Sequence, residues 1–569
     1  MGTVAELVRR QWGDHRTGLR DEHTTLTHHQ VAAGAAARAA LLAELMPDRP
    51  GSEPHLGLLL DNTPEYPLWL GAAALAGAAV AGINPTRRGA ELARDIRHTE
   101  CRVLITQRAH LPLLDGLPLP GLRILVTDTE AYRALLAPYE GTAPDDLVPV
   151  RPVRPDSRLL LTFTSGSTGA PKAAVCSQGR LAAAGASLVA HFSIRAEDTH
   201  YVCMPMFHGN AVIADWAPAL VAGAGIALRA RFSASRFLPD VRGFGATYFT
   251  YVGRAVQYLL ATPETPHDRD HSLRLGFGTE AGAVDAARFE ARFGARLVEG
   301  YGSSEGGAAI QRTPGTPPGA IGRAAPADDL AVVDPATRRA CPPARFSPAG
   351  VLLNADEAVG ELVNRGRTAF EGYWRNPEAQ AARLRDGWYW TGDLFYRDAD
   401  GFLYFAGRTD DRLRVDSENL AAAMIENILA RWERAAGVAV YAVPDPAAGD
   451  QVMAALALRP GATFDPAAFG TFLAAQSDLG TKMPPRFVRV VPELPLTATN
   501  KIHRVALRRT ALASADPTWW RPTPTAPYEP LTPTARESLR AEYAERGRAF
   551  PGERSAGERG SEETAEGGR

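Results

Sequence analysis

Leu159-Leu-Leu-Thr-Phe-Thr-Ser-Gly-Ser-Thr-Gly-Ala-Pro-Lys-Ala173 is the stretch on which the reading of the fold turns. An apolar, strand-like run opens into a loop of hydroxyl residues and glycines and ends on a lysine. Glycines let backbone amides turn inward, hydroxyls add donors and the ammonium supplies charge, so the composition describes a phosphate cradle behind a strand. It is not a Walker A loop. Gly166, Gly169 and Lys172 have the wrong spacing for G-x-x-x-x-G-K-[ST], and Ala173 stands where that motif puts its metal-binding hydroxyl. By composition alone a Ser/Gly-rich loop also suits a plain turn; the full string Thr164 to Lys172 is far more specific.

The lysine that ends the loop is unusual for this chain. Of 62 basic residues only Lys172, Lys482 and Lys501 are lysine, and the rest are arginine. Arginine replaces lysine on most surfaces but not where a compact ammonium must sit against a phosphate or reacting oxygen, so each retained lysine is a candidate. The 62 basic residues face 64 acidic ones, for a net charge of −2, which leaves no global field to hold nucleic acid or an anionic membrane. Cys101, Cys176, Cys203 and Cys341 are far apart, with no CxxC or Cys/His metal spacing, which fits a reduced, cytoplasmic setting. The N-terminus carries no apolar signal core. The run Leu68 to Ile83 is 16 residues, Ala/Gly-dominated and short of the ~20 a membrane helix needs, so a buried helix is expected there.

The chain length of 569 residues leaves room for several domains. From about Leu56 to Ala511, short apolar runs alternate with Ala-rich helical stretches, the pattern of an α/β fold with mixed or parallel sheets. Near Gly407 a strand-like run gives way to the charged Arg408-Thr-Asp-Asp-Arg412, which reads as a hinge. The expected organisation is a large N-terminal domain over 1–408, a small C-terminal α+β domain over 409–513, an extension over 514–551 with a helix near Ala535 to Ala549, and a disordered tail over 552–569.

With its loop and five further motifs, the chain closely resembles the adenylate-forming superfamily of acyl-CoA synthetases, peptide-synthetase adenylation domains and luciferases. The others follow in that family's order: Met204-Pro-Met-Phe-His-Gly209, Tyr301-Gly-Ser-Ser-Glu305, Trp390-Thr-Gly-Asp393, Gly407-Arg-Thr-Asp-Asp411 and Pro495-Leu-Thr-Ala-Thr-Asn-Lys501. Two look-alikes are outweighed. Gly276-Phe-Gly-Thr-Glu-Ala281 fits a dinucleotide fingerprint, and Gly302-Ser-Ser-Glu-Gly306 fits a nucleophile elbow on Ser304, but chance matches are expected in a chain with 53 glycines.

The resemblance implies a large domain of mixed sheets flanked by helices, a small mobile C-terminal domain, and an enzyme using ATP and Mg²⁺, with CoA as probable co-substrate of a hydrophobic carboxylic acid. It assigns Thr164, Ser165, Gly166, Ser167, Thr168, Gly169 and Lys172 to the β- and γ-phosphates, and Glu305 with Thr164 to Mg²⁺. Tyr301, Gly302, Ser303 and Ser304 would border the adenine together with Gly278, Thr279 and Glu280. Asp393 and Arg408 would hold the ribose hydroxyls. His208 would stand at the end of the acyl pocket, and Lys501 would bridge the carboxylate and the α-phosphate. Asp410 is the expected hinge pivot, and Asp416, Ser417 and Glu418 the acceptor tunnel. Lys482 is left without a mechanistic role.

One segment departs from the family pattern. Most relatives have two glycines before the tunnel Glu, where this chain has Asp416 and Ser417. The very-long-chain synthetase and fatty-acid-transport-protein branch tolerates the first, resembles Arg414 to Asn419 and has a Tyr-containing C-terminal extension. Ser417 keeps open an adenylating enzyme with a non-thiol acceptor, either an amide-forming ligase or one that activates nitrite towards a diazo product. A non-catalytic binding module is disfavoured by the intact Lys501, Glu305, Asp393 and Arg408. The acyl pocket is expected between Phe207 and Tyr258, with Ala211, Val212, Trp216, Tyr248 and Tyr251 as lining candidates.

Overall fold

The computed structural model describes residues 2–553 apart from 49–50, 164–170, 280, 314, 325–327, 349–351, 367–369, 410–411, 416–417, 447–448, 477, 481, 498–500, 524 and 547. The chain divides into two compact units, 1–312 with 366–389, and 313–365 with 390–569.

In the first unit, strands β1 (Thr17–Arg20) and β2 (Thr25–Thr27) are followed by β3 (His55–Leu59), β4 (Ala79–Gly82), β5 (Val103–Thr106), β6 (Arg123–Val126), β7 (Arg158–Phe163) and β8 (Ala173–Ser177). Then come β9 (Thr199–Val202), β10 (Gly225–Leu228), β11 (Tyr248–Val252), β12 (Leu275–Thr279) and β13 (Arg296–Glu299). Among the described residues they form two sheets, ordered β6-β5-β3-β4-β7-β8 and β13-β12-β11-β9-β10-β1-β2. Every pair is parallel except the terminal ones, β7 with β8 and β1 with β2. Parallel strands buried on both faces need continuous apolar runs, which is why β3, β4, β5, β10 and β11 are buried at every position.

The apolar run Leu68 to Ile83 is not one helix. The helix Glu65–Ala76 stops at Gly77, which adopts φ 69° and returns its N–H to the Ala73 carbonyl, and the rest of the run becomes β4. A side chain at Gly77 would put its Cβ 2.2 Å from the Arg151 carbonyl, so both conformation and space demand glycine. Small residues on the helix Glu65–Ala76 let it pack against the helix His28–Leu45, where a Cβ on Gly71 would touch Ala35. Trp69 is fully buried there and donates from its indole N–H to the Tyr132 hydroxyl at 3.0 Å. Burial of one such aromatic contributes about 3 kcal/mol.

In the second unit, Leu330–Val333, Gly360–Asn364, Trp388–Arg397 (from Trp390 onward) and Leu403–Arg408 share a sheet, and the hairpin Arg412–Val415/Glu418–Ala421 leads into the helix Ala422–Leu429. A further sheet orders Ala435–Pro444, Asp450–Leu458, Phe487–Val491, Thr518–Trp520 and Glu529–Pro530. The C-terminal extension thus supplies the last two strands, and the helix Pro533–Glu545 covers one face through Leu539 and Tyr543. That helix lies where the sequence placed one. Gly552 packs against the Thr510 carbonyl, and residues 554–569 of the expected tail lie outside the described residues.

Candidate active site

The phosphate-loop string joins two antiparallel strands. Phe163 of β7 pairs with Ala173 of β8, so both ends of the loop are pinned by one hairpin register. Thr164, Ser165, Gly166, Ser167, Thr168 and Gly169 lie outside the described residues; Pro171 and Lys172 lie within them. The exit of the loop is fixed on its other side. Trp374 N–H donates to the Ala173 carbonyl at 2.8 Å, Val175 N–H to the Gly372 carbonyl at 3.0 Å, and Asn376 Nδ2 to the Pro171 carbonyl at 3.0 Å. The same Asn376 caps the helix Pro377–Arg383, accepting from Ala379 N–H, with Pro377 at its first position.

The Tyr301-to-Glu305 segment leaves β13 and turns without forming a helix. Tyr301 pairs with Ile310 through bonds of 3.2 and 3.0 Å, and Gly306 returns its N–H to the Ser303 carbonyl. Arg180 holds the turn, one guanidinium nitrogen donating to the Ser304 carbonyl and another to the Val175 carbonyl, each at 2.7 Å. Because Gly302 to Gly306 is not a strand-to-helix turn, the nucleophile-elbow match of Ser304 is a coincidence of composition. Glu305 is buried and accepts a 2.9 Å hydrogen bond from the Tyr373 hydroxyl. Burial, reinforced by the Glu305 charge, pushes the Tyr373 hydroxyl well above its ordinary pKa, so it stays a donor. Arg383 completes the group. Burial opposes its charge, but Tyr373, Tyr389 and Glu305 around it hold its pKa above the ordinary value. One buried carboxylate is thereby kept company by a neutral donor and a fixed cation.

Gly276 and Gly278 lie inside β12 rather than in a phosphate-binding turn. A Cβ would sit 2.5 Å from the Phe249 ring at Gly276 and 2.2 Å from the Tyr251 carbonyl at Gly278, so their smallness serves close packing onto β11. Thr279 ends the strand, and Glu280 lies outside the described residues. His208 is half-buried just before the helical turn Gly209–Ala211. Its approach is clamped by Asn62, which accepts from Met206 N–H at 2.9 Å and donates to the Met204 carbonyl at 2.8 Å. A Cβ on Gly209 would lie 3.0 Å from Ser304 Oγ, so the His208 and Glu305 segments are neighbours.

In the second unit, Asp393 and Arg408 are paired across two strands and joined by an Nε–Oδ1 bond of 2.8 Å. Asp393 is buried while the Arg408 side chain is 54% exposed. Gly392 N–H donates to Glu361 at 2.7 Å and Thr391 Oγ1 to the Leu362 carbonyl at 2.8 Å, which fixes the Asp393 backbone. Lys501 sits where the chain closes on itself: its N–H donates to Thr497 Oγ1, Thr497 N–H returns to its carbonyl at 2.7 Å, and His503 N–H reaches Pro495. Arg504, three residues on, grips Glu426 with two bonds of 2.7 Å from Nη2. Asp410, Asp416 and Ser417 lie outside the described residues, and Glu418 opens a strand paired with Arg412–Val415.

Sequence reasoning missed Asn62, Arg180, Tyr373, Arg383 and Glu426. Only Asn376-Pro377, a helix-start pair, carries a local signal near any of them.

Residues 6–374 match the family described as AMP-binding enzyme, and residues 424–501 match the AMP-binding enzyme C-terminal domain. Over 553 residues the chain is 48% identical to a steroid-22-oyl-CoA synthetase of Rhodococcus jostii, covering 96% of this chain and 98% of that protein. It is 44% identical over 514 residues to a medium/long-chain-fatty-acid–CoA ligase of Mycobacterium marinum, covering 89% and 95%. Among solved structures, an anthranilate CoA ligase in complex with anthranoyl-AMP shares the fold at a TM-score of 0.78 and 23% identity, over 89% of this chain and 96% of that one. With these matches along nearly the whole chain, it belongs to the AMP-binding enzyme family, as an ATP-dependent, AMP-forming ligase of its acyl-CoA synthetase branch.

Proposed function

We propose that the protein activates a bulky hydrophobic carboxylic acid, of the steroid side-chain class, as its acyl-AMP and passes the acyl group to CoA. The observation that carries this is the 48% identity, across nearly the whole of both chains, to a protein named for a steroid acid. A carboxylate oxygen attacks the α-phosphorus of ATP, forming a P–O bond as pyrophosphate leaves. The CoA thiol, giving up its proton, then attacks the acyl carbon and AMP departs. Two anions meet in the first step, so the site has to supply fixed positive charge and alignment.

On this reading Lys172 and the loop residues 164–169 hold the β- and γ-phosphates, and the hairpin register of Phe163 with Ala173 keeps both loop ends in place. Lys501 places its ammonium between the carboxylate and the α-phosphate. Tyr301 through Ser304, with Gly278, Thr279 and Glu280, border the adenine; Asp393 and Arg408 take the ribose hydroxyls. Glu305 is the protein's hard oxygen ligand for Mg²⁺, with Thr164 beside it. A single buried carboxylate fits that ion, which keeps water and phosphate oxygens in most of its positions. Bound there, Mg²⁺ would neutralise phosphate charge. His208 stands by the acyl carboxylate. Residues 409–513 pivot at Asp410 between the half-reactions, withdrawing Lys501 and presenting the tunnel of Asp416, Ser417 and Glu418 to the thiol. The setting is cytoplasmic. Among the described residues no helix is long and apolar enough to cross a membrane.

Transfer to an amine, or activation of nitrite, is the weaker reading, because CoA ligases match the chain over most of its length despite Ser417. Pyrophosphate exchange over steroid side-chain, straight-chain and aryl acids and nitrite, repeated with CoA and amine acceptors, tests the proposal. A steroid side-chain acid giving exchange, and thioester only with CoA, is the expected result; exchange confined to nitrite or product formed only with an amine overturns it.

A further inference from the structure

The helical stretch that follows His208 changes its pitch midway. Gly209–Ala211 and Ala217–Ala222 are α-helical, but Val212–Trp216 between them is a π-turn in which Ala217 N–H donates to the Val212 carbonyl five residues back. The sequence supplies a cause. Pro218 has no N–H, and its ring would collide with the carbonyl four residues earlier, that of Ala214. A wider turn moves that carbonyl aside, and the buried Tyr248 hydroxyl donates to it at 2.9 Å.

The next residue is held from the same strand. Asp215, fully buried, accepts a hydrogen bond from the Thr250 hydroxyl and lies 3.6 Å from His200 Nδ1, too far for a hydrogen bond. Tyr248 and Thr250 stand two apart on β11, and His200 pairs with Tyr248 across β9, so the three share one face of the sheet. On the other side a Cβ at Gly185 would sit 2.8 Å from the Ala217 carbonyl, so the helix Gln178–Phe192 leaves the stretch no space to retreat. Burial raises the Asp215 carboxyl above its ordinary range, partly offset by His200 and Thr250. A buried polar cluster of this kind is costly where apolar packing would serve, and single π-turns recur at functional sites.

We infer that the Pro218 π-turn, locked by Tyr248, Thr250 and Asp215, is a specificity-determining wall of the acyl pocket. The inference rests on the reading of His208 given above. At 1.5 Å per residue, positions 212–216 lie roughly 6–12 Å along the helix from His208, level with the body of an acyl group rather than its carboxylate. A fused-ring acid cannot adapt to an altered wall, whereas a flexible chain repacks, so loosening the lock penalises the rigid acid first.

The test uses full-length Tyr248→Phe, Thr250→Val and Pro218→Ala enzymes, with pyrophosphate release measured for a steroid side-chain acid and a straight-chain fatty acid. The ratio of kcat/KM, rigid acid over flexible acid, is expected to fall about tenfold in each, with the KM for ATP unchanged. Pro218→Ala returns an N–H that lets the Ala214 carbonyl rejoin an α-helix, so it should also relieve the Tm loss of Tyr248→Phe when the two are combined. It carries the test if Tyr248→Phe fails to fold. An equal loss for both acids, or an unchanged ratio in Pro218→Ala, overturns the lock. If the native enzyme uses no steroid acid, the substrate reading fails separately, and the lock is judged by the same ratio for the most rigid and most flexible acids it does use.

Discussion

The Tyr301-to-Glu305 loop and the helical stretch Gly209–Ala222 touch at Gly209 and Ser304, yet they are held in different ways. The loop is fixed mainly through its backbone: Tyr301 to Ile310, Gly306 to Ser303, Arg180 to the Ser304 carbonyl. The helical stretch is fixed by buried side chains: Tyr248 and Thr250, on a strand that follows it in sequence, donate to the Ala214 carbonyl and to its own Asp215. Backbone anchoring suits the role proposed for this loop, to border a ligand that never changes, the nucleotide. Side-chain anchoring ties the wall to the core, so its shape can be tuned one residue at a time without disturbing the nucleotide loop.

Several substitutions would break or sharpen this contrast. The largest effect is expected at Lys501→Ala, which should lower adenylation by about a thousandfold in pyrophosphate exchange while leaving thioester formation from supplied acyl-AMP within a few-fold. Loss of both half-reactions would contradict the separate use of Lys501. Glu305→Gln should cost about a hundredfold for every acid alike and raise the Mg²⁺ concentration needed for half-maximal rate. An acid-dependent loss there would erase the distinction between nucleotide loop and acyl wall. Removing the donor beneath it, by Tyr373→Phe, should cost about tenfold with the same Mg²⁺ signature. Breaking the grip of Arg504 on Glu426 with Glu426→Gln should slow adenylation by roughly fivefold and spare thioester formation from acyl-AMP, since Arg504 follows Lys501 by three residues. Equal slowing of both steps would make that pair merely structural.

The smallest effect on rate, but a clear one on stability, is expected at His55 beneath the phosphate-loop hairpin. Its Nδ1–H donates to the Thr99 carbonyl at 2.8 Å and its Nε2 accepts from Arg158 at 3.1 Å, an arrangement only the neutral ring satisfies. Burial, countered in part by the Thr99 bond, lowers its pKa from 6.5 to about 4. Between those values the unfolded chain binds the extra proton, so stability present above about pH 6.5 is lost as pH falls towards 4. The loss amounts to about 3 kcal/mol. Denaturant titrations of His55→Gln should show a flatter profile over that window, and an unchanged slope would refute the assignment.

The same contrast explains what could be read from the sequence. The family is carried by contiguous strings, so Thr164 to Lys172, Tyr301 to Glu305 and Trp390 to Asp393, to which nucleotide chemistry is proposed, stand out in the sequence, and the alternating apolar runs announce the parallel sheets. The residues that support those strings do not. Tyr373 and Arg383 reach Glu305 from some seventy residues on, and no local pattern marks a side chain chosen for a partner that distant. Leu68 to Ile83 misled because helix and parallel strand are equally apolar when buried on all sides; only Gly77 inside it marks the break. On the acyl wall, Trp216 and Tyr248 could be named as candidates, but the π-turn depends on where Pro218 meets β11, which is a fact of tertiary structure.

The two short strands of the C-terminal extension have a consequence for solubility. Thr518–Trp520 occupies the otherwise open side of Phe487–Val491, and beyond it Glu529–Pro530 ends the sheet with a charge and a residue that has no N–H to offer. Unpaired strand edges recruit other strands, and short, charged or proline-bearing ones resist it. A chain cut after Ser514 would keep Lys501 and yet present the bare flank of Phe487, Val488 and Arg489 to its neighbours, so self-association rather than loss of chemistry would be its first fault.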